Sequence, residues 1–168
     1  VFNLPNGTNV KFSFQPVEFA EDDVRLSRLP TFEVEFSVSG GALDAYGKRV
    51  VTWFNRVARD EIQPGTILVN SPASNSYGRG SSEAQRRRLA LDPDFRRRET
   101  LYRRAGFAKA VEDNSGYLRQ YAVVRHTPNA NGKFLEPLHV DLGQRMRHGY
   151  FANADDIDRQ VLAQQNPY

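Results

Sequence analysis

The stretch Thr31 to Val38 constrains the fold more than any other. Phe32, Val34, Phe36 and Val38 alternate with Glu33, Glu35 and Ser37, the period of two expected of a strand with one apolar and one polar face. Ser39-Gly40-Gly41 breaks this strand. Leu43, Tyr46, Val50, Phe54, Val57 and Ile62 then recur at three- to five-residue spacing, which predicts a helix from about Asp44 to Glu61 with Gly47 inside it. Gln63-Pro64-Gly65 ends that helix, and the apolar run Thr66-Ile67-Leu68-Val69 reads as a buried central strand. Strand, helix and strand in this order predict a βαβ unit within a mixed α/β (α+β) fold.

The flanking segments add a hairpin on each side. Asn6-Gly7 is a turn at which positive φ is cheap, between the apolar start Val1 to Pro5 and a run in which Val10, Phe12 and Phe14 share one face. Glu18 to Asp23 and Pro30 read as a connection. Asn70 to Leu91 carries Ser, Asn, Gly and Arg without a period, which predicts a long surface loop with a basic helical turn at Ser82 to Leu91. Asp92-Pro93 is a helix start and Gly106 a helix stop. Phe107 to Val111 and Leu118 to Val124 then form two strand-like runs around Asp113-Asn114-Ser115-Gly116. The end of the chain is weakly helical from Asp155 to Gln165.

Length and charge narrow the function. At 168 residues the prior is one compact unit, read as a main domain over 1–127 with a C-terminal extension over 128–168 packed on it. The absence of cysteine removes disulfides, zinc ribbons, iron–sulfur clusters and thiol nucleophiles, and fits a cytoplasmic setting. No apolar run approaches the roughly 20 residues of a spanning helix, so no membrane association is expected. The net charge of +3 is unevenly spread, because Arg79 to Arg104 holds 9 Arg against 4 acidic residues. Such a block can attract an acidic macromolecule or form a solvated face.

The segment Thr100-Leu101-Tyr102-Arg103-Arg104-Ala105-Gly106-Phe107, followed by two short strands, resembles the closing module of the GNAT superfamily of acyl-CoA-dependent N-acyltransferases. The order strand, glycine turn, long helix and strand over Thr31 to Val69 is similar to the core of that superfamily. The resemblance covers Thr31 to Arg125 and implies a central mixed sheet flanked by helices, with acetyl-CoA as cofactor. It implies that Val38, Ser39, Gly40, Gly41, Gly47, Lys48 and Arg49 serve the cofactor, its pyrophosphate being held by backbone N–H groups and the positive end of a helix. The usual pattern is Gln or Arg, two residues, Gly, one residue, then Gly or Ala. Here Ser37, Gly40 and Ala42 fit it with Ser at the first place. Asn75, Gly78 and Gly80 fit the same spacing, but too few residues follow them before Leu101-Tyr102 for a cofactor helix and a strand.

Acyl transfer to an amine needs a base for the amine, a donor for the thioester carbonyl and a proton for the departing thiolate. The resemblance assigns Tyr102 as general acid, a backbone N–H near Val38 to the carbonyl oxygen, and Asn70 to the pantetheine arm. A carboxylate opposite the apolar face of the first strand can accept the amine proton through water, and Glu35 is preferred over Glu33 by position. Each has a structural alternative: Tyr102 as core filler, the carboxylates as a solvated face. His126, His139 and His148 lack metal-ligand spacing, so no metal is expected.

Three readings follow. The first is an acetyl-CoA-dependent N-acyltransferase acting on an amine of a small molecule or of a macromolecule, with the Arg79 to Arg104 block drawing an acidic one such as tRNA or an acidic protein. The second is a catalytically inactive GNAT-like structural or binding protein. GNAT-like proteins with a drifted loop occur in bacteriophages, so the resemblance extends to a phage-encoded chain in the host cytoplasm or virion. The third is a basic nucleic-acid-binding module.

Overall fold

A computed structural model describes residues 2–5, 7–17, 29–39, 47–70, 93–112, 118–140, 146–147, 150–151, 157–159 and 161–162. The expected mixed α/β fold is present. Strands β1 (Phe2–Asn3), β2 (Asn9–Pro16), β3 (Thr31–Ser39), β4 (Ile67–Asn70), β5 (Val111–Glu112), β6 (Leu118–Val124) and β7 (Leu135–Pro137) form one mixed sheet. Its order is β1-β2-β3-β4-β6-β5, with β7 also paired to β6. Helices α1 (Gly47–Asp60) and α2 (Pro93–Ala105) connect strands of the sheet, and β8 (Met146–Arg147) pairs with β9 (Tyr150–Phe151) apart from it. Among the described residues no helix is long and apolar enough to cross a membrane.

The period of two in β3 sorts the core into two layers. Val34, Leu68, Ala122 and Val124 point to one face, where they meet Val51, Phe54 and Ala58 of α1 and Tyr102 and Ala105 of α2. Ile67, Val69, Tyr121 and Val123 point to the other face and are covered by Leu138, Val140, Ile157 and Val161. The chain beyond residue 127 therefore supplies both a strand of the sheet and the cover of one of its faces. Asn55 of α1 ties the β6–β7 connection to the helix layer: its Nδ2 donates to the Gly132 carbonyl at 3.0 Å and its Oδ1 accepts the Phe134 N–H at 2.8 Å.

Several expected boundaries move. The central strand starts at Ile67 rather than Thr66, because the Thr66 hydroxyl and N–H both donate to the Gln63 carbonyl, at 2.7 and 3.2 Å, and close the preceding turn. The run expected over Phe107 to Val111 is a strand only at Val111–Glu112. The Tyr121 carbonyl accepts the N–H of Ala108 at 3.0 Å and that of Leu138 at 3.2 Å, so the outer edge of β6 is divided between β5 on one half and β7 on the other. α1 ends at Asp60, and Gly47 is its first described residue. The helix start from Asp44 to Tyr46, the connection Glu18 to Asp23, the turn Asp113 to Gly116 and the loop Ser71 to Leu91 lie outside the described residues.

α2 stops where Gly106 adopts φ of +124°. Its N–H and that of Phe107 donate to the Tyr102 carbonyl at 3.1 and 3.0 Å, which satisfies a helix-end acceptor that would otherwise be orphaned. A Cβ at this position would lie 2.6 Å from the Leu135 carbonyl oxygen, so glycine is required both by backbone angle and by the approach of β7. Gly106→Ala should cost about 3 kcal/mol, combining strain and overpacking. Gly47→Ala meets nothing within 4 Å and should range from neutral to about 1 kcal/mol stabilising. Urea denaturation of the two variants checks this contrast, and equal stabilities would contradict it.

Candidate functional site

Among the described residues, β3 and β4 part company beyond a short stretch of pairing. β3 and β4 run parallel and pair at only three positions, Thr31 with Ile67, Phe32 with Leu68 and Glu33 with Val69. β3 then continues to Ser39 with β2 on its other edge, while β4 ends at Asn70, paired only with Gln120 of β6. Among the described residues no strand pairs with Val34 to Ser39 on the β4 side. The carboxyl ends of parallel strands are where open α/β sheets place ligands, and the chain leaving β3 at Ser39 reaches the first turn of α1 at Gly47.

Asn70 sits at the base of this fork. Continuing the β3–β4 register by one step would set it opposite Val34, yet that pair does not form. Its side chain is on the helix-facing side of the sheet, in register with Gln120, and the residue is 1% exposed. Neither Nδ2 nor Oδ1 has a hydrogen-bond partner. A buried amide without partners costs free energy and calls for an explanation. One buried group thus offers both a free donor and a free acceptor.

Tyr102 is 4% exposed within an aromatic cluster. Its ring meets Phe107 edge-on, with centroids 5.2 Å apart and planes at 78°, and Phe12 edge-on at 6.5 Å. Phe12 in turn stacks on Phe54 at 4.4 Å. The apolar crevice beside Tyr102, walled by Phe12, Val50, Phe54 and Leu101, is too tight to hold a water molecule. Burial pushes the Tyr102 phenol well above its ordinary range; the Arg98 charge opposes this and the Glu35 charge adds to it.

Glu33 and Glu35 project from the opposite side of the sheet, because odd-numbered residues of β3 share a face with Ile67 and Val69. Glu35 is exposed. Glu33 lies 3.7 Å from the Arg119 guanidinium. The alternation thus separates Tyr102 and Glu35 by the thickness of the sheet. Val38 and Ser39 lie at the end of β3 that extends beyond its pairing with β4, in backbone register with Val10 and Asn9 of β2. Lys48 and Arg49 are exposed in the first turn of α1, which carries no acidic residue. Gly40 and Gly41 lie outside the described residues, as do Asn75, Gly78 and Gly80. Of the basic block, Arg96, Arg103 and Arg104 are exposed on α2.

Gln120 joins the site although it was not a candidate by sequence. It is fully buried, and its Nε2 donates to the Ala108 carbonyl at 3.0 Å and to the Glu99 carbonyl at 3.3 Å. Its Oε1 has no partner. The available signal was a lone polar residue at the inward period of Leu118, Gln120, Ala122 and Val124. Comparison with protein-family models, with curated proteins and with solved structures finds no match to this chain.

The phenol shift carries a pH dependence. In the unfolded chain the Tyr102 phenol ionises near pH 10 while the folded chain retains its proton, so the native state binds more protons above that pH and loses stability as pH rises. Stability should be insensitive to this group below about pH 10 and fall above it by up to about 1.4 kcal/mol per pH unit. Urea titrations of the native chain and Tyr102→Phe between about pH 8 and 11.5 should show a shallower alkaline decline in the variant; identical slopes would contradict the buried phenol.

Proposed function

We propose that this protein is an acyl-CoA-dependent N-acyltransferase that binds acetyl-CoA in the fork between β3 and β4 and acetylates an amine. The early end of the parallel ladder carries this reading. Three residue pairs bring the strands together and the next pair is absent, so that among the described residues no strand takes the backbone edge of Val34 to Ser39 on that side. When bound, the coenzyme supplies an activated acyl group on a thioester. The protein's part is to align that group, hold its carbonyl and move two protons. The Val38 backbone N–H is assigned to the carbonyl oxygen, and Gly40, Gly41 and the start of α1 at Gly47, Lys48 and Arg49 to the pyrophosphate. Glu35, exposed on the outer face, is assigned to take the amine proton through water, and Tyr102 to protonate the leaving thiolate. The exposed Arg96, Arg103 and Arg104 favour an acidic macromolecule as the acceptor.

The burial of Tyr102 favours a second reading, in which the fork binds its ligand without turnover. A phenol at 4% exposure in a crevice too tight for water transfers a proton only if the cluster opens. Calorimetric titration with acetyl-CoA tests the shared part of both readings: binding below millimolar ligand is expected, and no heat up to that concentration would overturn them. Release of free thiol in the presence of polyamine or basic-peptide acceptors separates them. Turnover that falls at least tenfold in both Tyr102→Phe and Glu35→Gln supports catalysis, and binding without thiol release supports the inactive protein.

A further inference from the structure

The two helices carry the positive charge of the molecule, and they turn it to one surface. Together α1 and α2 hold nine basic and three acidic residues, against 14 basic and 17 acidic in the rest of the chain. The helical period sorts them. On α1, Val50, Phe54 and Val57 are buried, while Lys48, Thr52, Arg56 and Arg59 recur at spacings of three and four on the exposed side. On α2, Phe95, Tyr102 and Ala105 are buried, and Arg96, Thr100, Arg103 and Arg104 form a second exposed row. Val51 and Phe54 of α1 wall one crevice with Tyr102 and Ala105 of α2, so the helices are in contact on the same side of the sheet. Helices in contact stand about 8–10 Å apart, which sets the two rows side by side.

Among the described residues little on this surface offsets the charge. The Asp60 carboxylate is taken by Arg59, in two bonds of 2.7 and 2.8 Å, and Glu99 is half-buried. Among the described residues Arg56, Arg96, Arg103 and Arg104 enter no ion pair. Like charges gathered in this way repel one another, and a polyanion relieves the repulsion. We propose that the outer surface of α1 and α2 binds the phosphate backbone of double-stranded nucleic acid, with Arg56, Arg96, Arg103 and Arg104 as the contacts. Two observations choose this partner. Every described exposed residue of the two helices is polar, whereas a protein partner is met by an apolar and aromatic centre and nucleic acid by a polar, cationic surface. A single strand calls for rings open to stack on bases, yet Trp53 is half-buried beside Phe12, and Phe95 and Tyr102 are buried. Guanidinium forks also match phosphate oxygens. The proposal does not rest on the acyl-CoA reading, since none of the four arginines is assigned to the cofactor. It narrows the acidic macromolecule to a duplex and places part of the contact on α1.

The test titrates the full chain into fluorescent DNA duplexes of two unrelated base sequences and follows anisotropy at several salt concentrations. Arg56→Gln, Arg103→Gln and the double variant are measured beside the parent, with urea denaturation to establish that each is folded. Four phosphate contacts give a slope of log affinity on log salt of about −3.6, so binding should weaken about a hundredfold between about 50 and 200 mM salt, alike for both sequences. Each single substitution should weaken binding and reduce the slope by about one, and the double variant by about two. Equal affinity and slope in the parent and all variants would overturn the surface. Failure to bind either duplex at about 50 mM salt would overturn it as well. Tighter binding of polyglutamate than of duplex would replace the partner with an acidic protein, and tighter binding of one separated strand would overturn the preference for a duplex.

Discussion

Three parallel residue pairs between β3 and β4 hold the two halves of the sheet together. On one side stand β1, β2 and β3, built from the first 39 residues; on the other stand β4, β6, β5 and β7. β4 can carry this junction because it is buried on both faces, with Ile67 and Leu68 at 0% exposure, so each of its four residues packs as well as pairs. Its shortness sets the rest. The turn closed by Thr66 fixes where the strand begins, Asn70 is its last residue, and the extra length of β3 becomes one arm of the fork.

The aromatic cluster serves this junction from the helix side. Phe12, Phe54 and Phe107 stack in sequence and Tyr102 meets two of them edge-on, so strand β2, both helices and the residue after Gly106 are fastened into one layer. Edge-to-face and offset aromatic contacts add to the apolar area they bury. The same contacts enclose the phenol proposed as proton donor. Stability and reactivity are therefore in competition at Tyr102, and the preference for a neutral phenol that burial imposes is useful to a proton donor only when a thiolate can reach it.

The fold was legible in the sequence wherever local pattern decides the outcome. Alternation over Thr31 to Val38 marked β3 and correctly put Glu33 and Glu35 on the face away from Phe32 and Val34. Pro93 and Gly106 bracketed α2, and the run Leu118 to Val124 was read without error. What local pattern cannot carry is which strand edge a later segment will take. The entry of β7 beside β6, and the Tyr121 carbonyl shared between Ala108 and Leu138, are contacts between residues distant in the chain, so Phe107 to Val111 looked like a longer strand than it is. At the candidate site Asn70 was singled out, whereas Gln120 was missed because its meaning depends on two carbonyls from other segments. Alternation also told which residues of β3 share a face, but not which face the helices would cover, and that choice is what separates Glu35 from Tyr102.

The position of β4 has a consequence for how the molecule comes into being. The strand at the centre of the sheet is made well before its antiparallel neighbour β6, and β7 arrives later still. When residue 70 has just been made, the second edge of β4 still lacks its partner, and Leu138, Val140, Ile157 and Val161, which cover Ile67 and Val69 beside Val17 and Leu29, are still to come. Contacts of such wide sequence separation are slow to close. Until residues 118–124 have been made, the growing chain carries that apolar strand edge without its partner, and such an edge is open to aggregation.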